Sequence, residues 1–139
     1  ELDAYVSYDF GPLALTVTNY TFPDGNGTYS SGGFFEGDLE ISASTEIGGI
    51  SIMGGYFPDL ETLYIEAGFG MGDVDFAIGF GNDSADAFYV GAGESAICNI
   101  SFGYNKEIKI TDDYSLPLFS SFIYNPKSEA AFIVFGASF

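Results

Sequence analysis

"DLEISASTEI", residues 38–47, reads in twos. Leu39, Ile41 and Ala43 fall on one face, and Asp38, Glu40, Ser42, Ser44 and Glu46 on the other. Successive side chains of a strand point to opposite sides, so a period of two marks a β-strand with two unlike faces. The same period runs through most of the chain. It recurs in "LDAYVSYDF" (2–10), "LALTVTNYTF" (13–22), "ISIMGGYF" (50–57), "TLYIEAGFGM" (62–71) and "VDFAIGF" (74–80). It continues through "CNISFGYNKEIKI" (98–110), "LPLFSSFIY" (116–124) and the closing "AAFIVFGASF" (130–139). With 38–47 these are nine strong strands. "AFYVGAG" (87–93) is a weaker tenth candidate. Cys98, Ile100, Phe102 and Tyr104 are read as one phase, with the lone cysteine at a buried strand position.

The second face decides the class. A soluble sandwich buries its apolar face and shows polar groups to water. Here the polar-phase face is mostly Gly, Ser, Thr and Tyr, with Glu40, Glu46, Glu66 and Asp75 among them. That suits the narrow, wet inside of a barrel whose apolar face meets lipid. The expected fold is all-β, an antiparallel up-and-down transmembrane β-barrel. A soluble β-barrel or sandwich that binds a ligand or a partner inverts the two faces and is the alternative.

Connection lengths agree with the barrel. Gaps one, three, five and seven are "GP", "GG", "GD" and "TDD". Gaps two, four, six and eight are "PDGNGTYSSGGFFE", "PDLE", "GNDSADAFYVGAGESA" (81–96) and "NPKSE". Short turns on one side and longer loops on the other are the asymmetry of an outer-membrane barrel. Nine strands leave an odd count, whereas single-chain bacterial barrels have an even one. The reading that keeps the turn pattern is a single domain over 1–139 lacking a native N-terminal portion, with about ten to twelve strands in the whole barrel. Glu1 is not an initiator Met and no leader pattern follows it, so the chain reads as processed or trimmed.

Composition narrows function further. The net charge is -17, with three lysines and no arginine or histidine. No basic stripe exists to neutralise phosphates, so nucleic acid is not an expected partner. The lack of His removes the Ser–His and Cys–His nucleophile systems and imidazole metal ligands. The i,i+2 pairs Asp38/Glu40 and Asp73/Asp75 read as solvated wall or strand ends. "GFGMGDVDFAIGFG" precedes no helix, so it is not a dinucleotide loop. "PDGNG" (23–27) lacks the later acids of an EF-hand and reads as a turn. No catalytic residue, metal site or cofactor is expected. Asp24, Glu36, Asp59, Glu61, Asp83, Asp86, Glu94 and Glu129 fall at or near the longer-loop side.

The closing "FIVFGASF" resembles the C-terminal signal of Gram-negative outer-membrane proteins, an aromatic end with apolar residues at alternate positions. Phe139, Phe135 and Ile133 carry the match. The resemblance implies a bacterial outer-membrane location, recognition by the barrel-assembly machinery, and lipid as the surrounding partner. Thr18-Asn19-Tyr20-Thr21-Phe22-Pro23 looks like the Thr-Asp-Tyr-Tyr-like strand end of a group of small outer-membrane barrels. It departs from that pattern at Asn19 and Thr21, and it implies a class but no activity. The expected function is a non-enzymatic, porin-like channel or a structural envelope component. A barrel subunit of a larger outer-membrane complex, in contact with other envelope proteins, is a further alternative.

Overall fold

A computed structural model of the protein describes residues 2–22, 37–84 and 87–138. The alternating segments form β1 (Leu2–Asp9), β2 (Leu13–Thr21), β3 (Asp38–Ile47), β4 (Ile50–Phe57) and β5 (Thr62–Met71). They continue as β6 (Val74–Asp83), β7 (Glu94–Lys109), β8 (Ser115–Asn125) and β9 (Ala130–Ala137). All nine join one antiparallel sheet in chain order, and no helix occurs among the described residues. Phe139, Glu36, Asp86 and the "PDGNG" turn at 23–27, Asp24 included, lie outside the described residues.

The hairpins are as tight as their glycines allow. Ile47 pairs with Ile50 across Gly48 and Gly49, whose φ angles are +62° and +80°. Two successive positive φ values make the mirror-image turn whose twist matches that of the flanking strands. Gly72 and Asp73 close β5 onto β6 in the same short span. The connection 58–61 uses Glu61, and 126–129 uses Glu129, in the left-handed region at φ 49° and 56°.

Register aligns the two faces across the whole sheet. On one face Val17, Ile41, Tyr56 and Leu63 form a row, and Ile52, Ala67, Ile78 and Ile100 form another. A third row stacks Phe69 on Phe76 at 5.1 Å and sets Phe76 edge to face against Phe102 at 5.2 Å. On the opposite face Thr18 pairs with Glu40, Glu66 with Gly79, and Asp75 with Gly103.

Among the described residues no strand packs over either face of the sheet. Each strand contacts only its neighbours in sequence. The buried apolar residues among those described are Phe57, Val90 and Cys98. Ile41 remains 48% exposed, Ile78 47% and Phe135 77%. β1 pairs with β2 alone and β9 with β8 alone, so the sheet is open. Since nine antiparallel strands alternate, its two free edges run in the same direction.

Two expectations need correcting. The weak tenth strand is absent: 87–93 is a loop, and β6 and β7 extend to Asp83 and back to Glu94, shortening the connection from 81–96 to 84–93. Cys98 is not in phase with Ile100. Gly79 pairs with Asn99 but Phe80 pairs with Ile97, so Cys98 is the extra residue of a β-bulge. A bulge shifts the side-chain count by one. Ile97 therefore joins the apolar face, and the Cys98 thiol turns in toward the Gly79 carbonyl.

Candidate functional site

The four acids read from the sequence as lumen-lining share the polar face of the open sheet, spaced from the end with the longer connections to the short-turn end. Glu40 stands two residues from the start of β3, beside the long connections. Glu46 and Asp75 lie near the short turns, and both line a cavity of about 620 Å³ with Ser51, Gly68, Ala77 and Ser101. Glu66 meets Glu46 in a smaller cavity of about 330 Å³, between Ser44 and Met53. Glu46 thus bridges Glu66 and Asp75, while Glu40 stands apart above them. Ile133 and Phe135 of β9 are exposed, Ile133 on the apolar face with Phe122 opposite it in β8.

Neutral donors, not cations, hold these carboxylates. Tyr20 donates its hydroxyl to Glu40 Oε2 at 2.7 Å across the β2–β3 pair. Tyr64 donates to Glu66 Oε2 at 2.5 Å, and Asn99 Nδ2 donates to the same oxygen at 2.7 Å and to the Tyr64 hydroxyl at 3.1 Å. Asn105 Nδ2 donates to Asp75. The three lysines pair elsewhere: Lys106 with Asp73 at 3.4 Å, Lys109 with Asp112 at 2.7 Å, and Lys127 with Glu94. All three acid partners sit at strand ends or in a turn. No arginine or histidine exists to replace them.

Glycines make the room for these bonds. A Cβ on Gly55 would collide with the Glu40 carboxylate, and one on Gly79 would collide with the Tyr64 hydroxyl and ring. A side chain at either position would therefore displace the acid or its donor.

At the end of the sheet with the longer connections, residues 87–93 pack onto the same polar face. Asp83, fully buried at the end of β6, draws them in. Its Oδ2 accepts from the backbone N–H groups of Phe88, Tyr89, Val90 and Gly91 at 2.7–2.9 Å. Its Oδ1 accepts from the Thr62 hydroxyl at 3.2 Å. Four converging N–H donors form an anion-binding concavity, here filled by the chain's own carboxylate. The anchored loop lays Tyr89 on Tyr64 at 5.0 Å and Phe88 on Phe57 at 5.0 Å. Burial, followed by the negative charge of Glu40, pushes the Tyr89 phenol well above its ordinary pKa. A Cβ on Gly81 would lie 2.7 Å from Tyr89 Cβ and 3.2 Å from both Cys98 Sγ and Val90 Cγ1, so the loop needs that glycine to seat.

Asp83, Tyr20 and Tyr64 were not singled out from sequence. Tyr64 and Glu66 share a face by the period-two rule, which is a usable signal. Tyr20 reaches Glu40 only through the β2–β3 register. Among the described residues, no group of three or more acids, Cys or His is placed to hold a metal ion. Comparison with protein-family models, with curated proteins and with solved structures finds no match to this chain.

Proposed function

We propose that the chain is a non-enzymatic β-barrel protein of the bacterial outer membrane, whose inner face passes small cations. The observation that carries the reading is the apolar face. It runs unbroken across consecutive strands, half exposed, with no described residue of another strand packed over it. In water such a face is an aggregation surface. In lipid it is the required outer wall. The strands have the right reach. A ten-residue strand such as β6 spans about 33 Å, and at a tilt of ~40° rises about 25 Å, the height of the apolar band of a membrane barrel. Lipid is then the principal partner, and the barrel-assembly machinery would recognise the closing strand.

The inner acids support conduction. Carboxylates without a cationic partner are costly unless hydrated or attended by mobile cations. Their field favours cations over anions. In planar bilayers, a potassium chloride gradient should give a reversal potential of the cation-selective sign. Glu40→Gln together with Glu66→Gln should reduce it. Silent bilayers, under conditions where a known porin conducts, would refute the pore and leave a structural envelope role. The free edges of β1 and β9 favour a second reading, a subunit that completes its wall with strands of a larger membrane assembly.

A further inference from the structure

We infer that the loop-side rim carries a binding site for a small organic cation of the quaternary ammonium class. The site is a cavity of about 250 Å³ on the inner face, walled by Tyr20, Phe57, Phe88 and Tyr89 with the carboxylates of Asp38 and Glu40. Three properties point to the ligand class. The first is the wall. Tyr20 and Phe57 lie 5.7 Å apart, Phe57 and Phe88 5.0 Å, and Phe88 and Tyr89 4.8 Å, with interplanar angles from 35° to 86°. Four aromatic residues at varied mutual angles line one space, where a π face is available to a cation. Such aromatic cages are the general solution for quaternary ammonium groups, which cannot donate hydrogen bonds.

The second property is charge. Glu40 is nine-tenths buried, yet its hydrogen-bond donor is the neutral Tyr20 phenol. All three lysines are paired with other acids, and the chain has no arginine or histidine. No side-chain cation of the protein neutralises Glu40. Buried charges ordinarily have a partner, and a bound cation supplies one.

The third property is preorganisation. Asp83 fixes the backbone of Phe88 and Tyr89 through two of its four N–H bonds, so the loop half of the cage is set before any ligand arrives. The volume lies below the roughly 300–1,000 Å³ of sites for drug-sized ligands and fits a headgroup-sized cation. Because the cage lies on the inner face, its occupant is a free solute and not a lipid headgroup in the surrounding bilayer.

The inference rests on the inner face being open to water, but not on conduction. The test is calorimetric titration of the refolded full chain, in maltoside micelles free of choline groups, with choline and with its uncharged isostere 3,3-dimethyl-1-butanol. Choline should bind at least about tenfold more tightly than the isostere, since the positive charge is what the rings and Glu40 read. Glu40→Gln and Phe88→Leu should each weaken choline about tenfold, and Asp113→Asn, in the exposed turn between β7 and β8 at the short-turn end, should leave it unchanged. Phe88 is an exposed loop residue, so Phe88→Leu carries the test should Glu40→Gln fail to fold, with circular dichroism reporting the strand content of each variant. Equal binding of the isostere, no choline binding by folded protein, or equal weakening by Asp113→Asn would each overturn the site. Choline binding with silent bilayers would keep the site and refute the pore; cation conduction without choline binding would do the reverse.

Discussion

Ile78 and Ala77 are adjacent in β6, at the same depth, on opposite faces of the sheet. Ile78 is the fifth residue of a ten-residue strand, so it stands at the middle of the apolar band. It pairs with Ala67 on one side and Ile100 on the other, in the row that also holds Ile52. Ala77 opens into the inner cavity that Glu46 and Asp75 also line. Ile78→Arg would place a guanidinium against lipid at the midplane, at a cost of about 2–4 kcal/mol. That is roughly a 30- to 700-fold shift in the folding equilibrium. Ala77→Arg adds the same side chain at the same height, but into a cavity lined by two carboxylates that no lysine neutralises. Its cost should be small, and a favourable Coulomb contribution is expected at low salt. Ile41→Arg should fall between the two, because Ile41 lies one outward-facing position from the centre of β3 and closer to the rim. Ser42→Arg, on the inner face of the same strand, should be milder than Ile41→Arg. The assay is guanidinium unfolding in lipid vesicles, followed by circular dichroism and by heat-modified gel mobility. Equal losses for Ile78→Arg and Ala77→Arg would refute the assignment of the two faces.

Three further outcomes follow from specific contacts. Asp83→Ala removes the acceptor of four backbone N–H groups; it should cost about 1.5–3 kcal/mol and speed hydrogen exchange at Phe88–Gly91, whereas unchanged exchange would show that the loop holds without it. Gly79→Ala drives a methyl into the Tyr64 ring and should destabilise by roughly 1–3 kcal/mol in the same unfolding assay; no change would mean that Tyr64 does not occupy that space. Deleting Phe139 should lower the amount of folded protein recovered in the membrane more than it lowers the stability of what does fold; undiminished assembly would remove the closing strand as an assembly signal.

Strand positions were legible because the faces differ so strongly. β3, β4 and β5 run over the same residues that alternation marks in sequence, 38–47, 50–57 and 62–71. The failures occur where the period breaks or runs out of apolar residues. Between Gly79 and Phe80 the register slips by one against Ile97–Asn99, and no count in twos detects an inserted residue. The ends of β6 and β7 were hidden by polarity, since Asn82 and Ser95 look like loop yet pair across the strands, with Asn82 Nδ2 donating to Ser95 Oγ at 2.5 Å. The inner acids were visible from phase alone. Their donors were not, except Tyr64, because Tyr20, Asn99 and Asn105 lie 20 to 33 residues from the acids they serve. Asp83 in "GNDS" looked like any loop-side acid, and its role appears only once the 84–93 loop folds back over it.

The most direct test of the central claim is whether the folded chain requires an amphiphile. Sedimentation of the refolded protein, with and without detergent, measures it. A face as exposed as that bearing Ile41, Ile78 and Phe102 should give a folded monomer in micelles or vesicles and aggregation when the amphiphile is removed. A folded, monodisperse monomer in plain buffer would contradict the account.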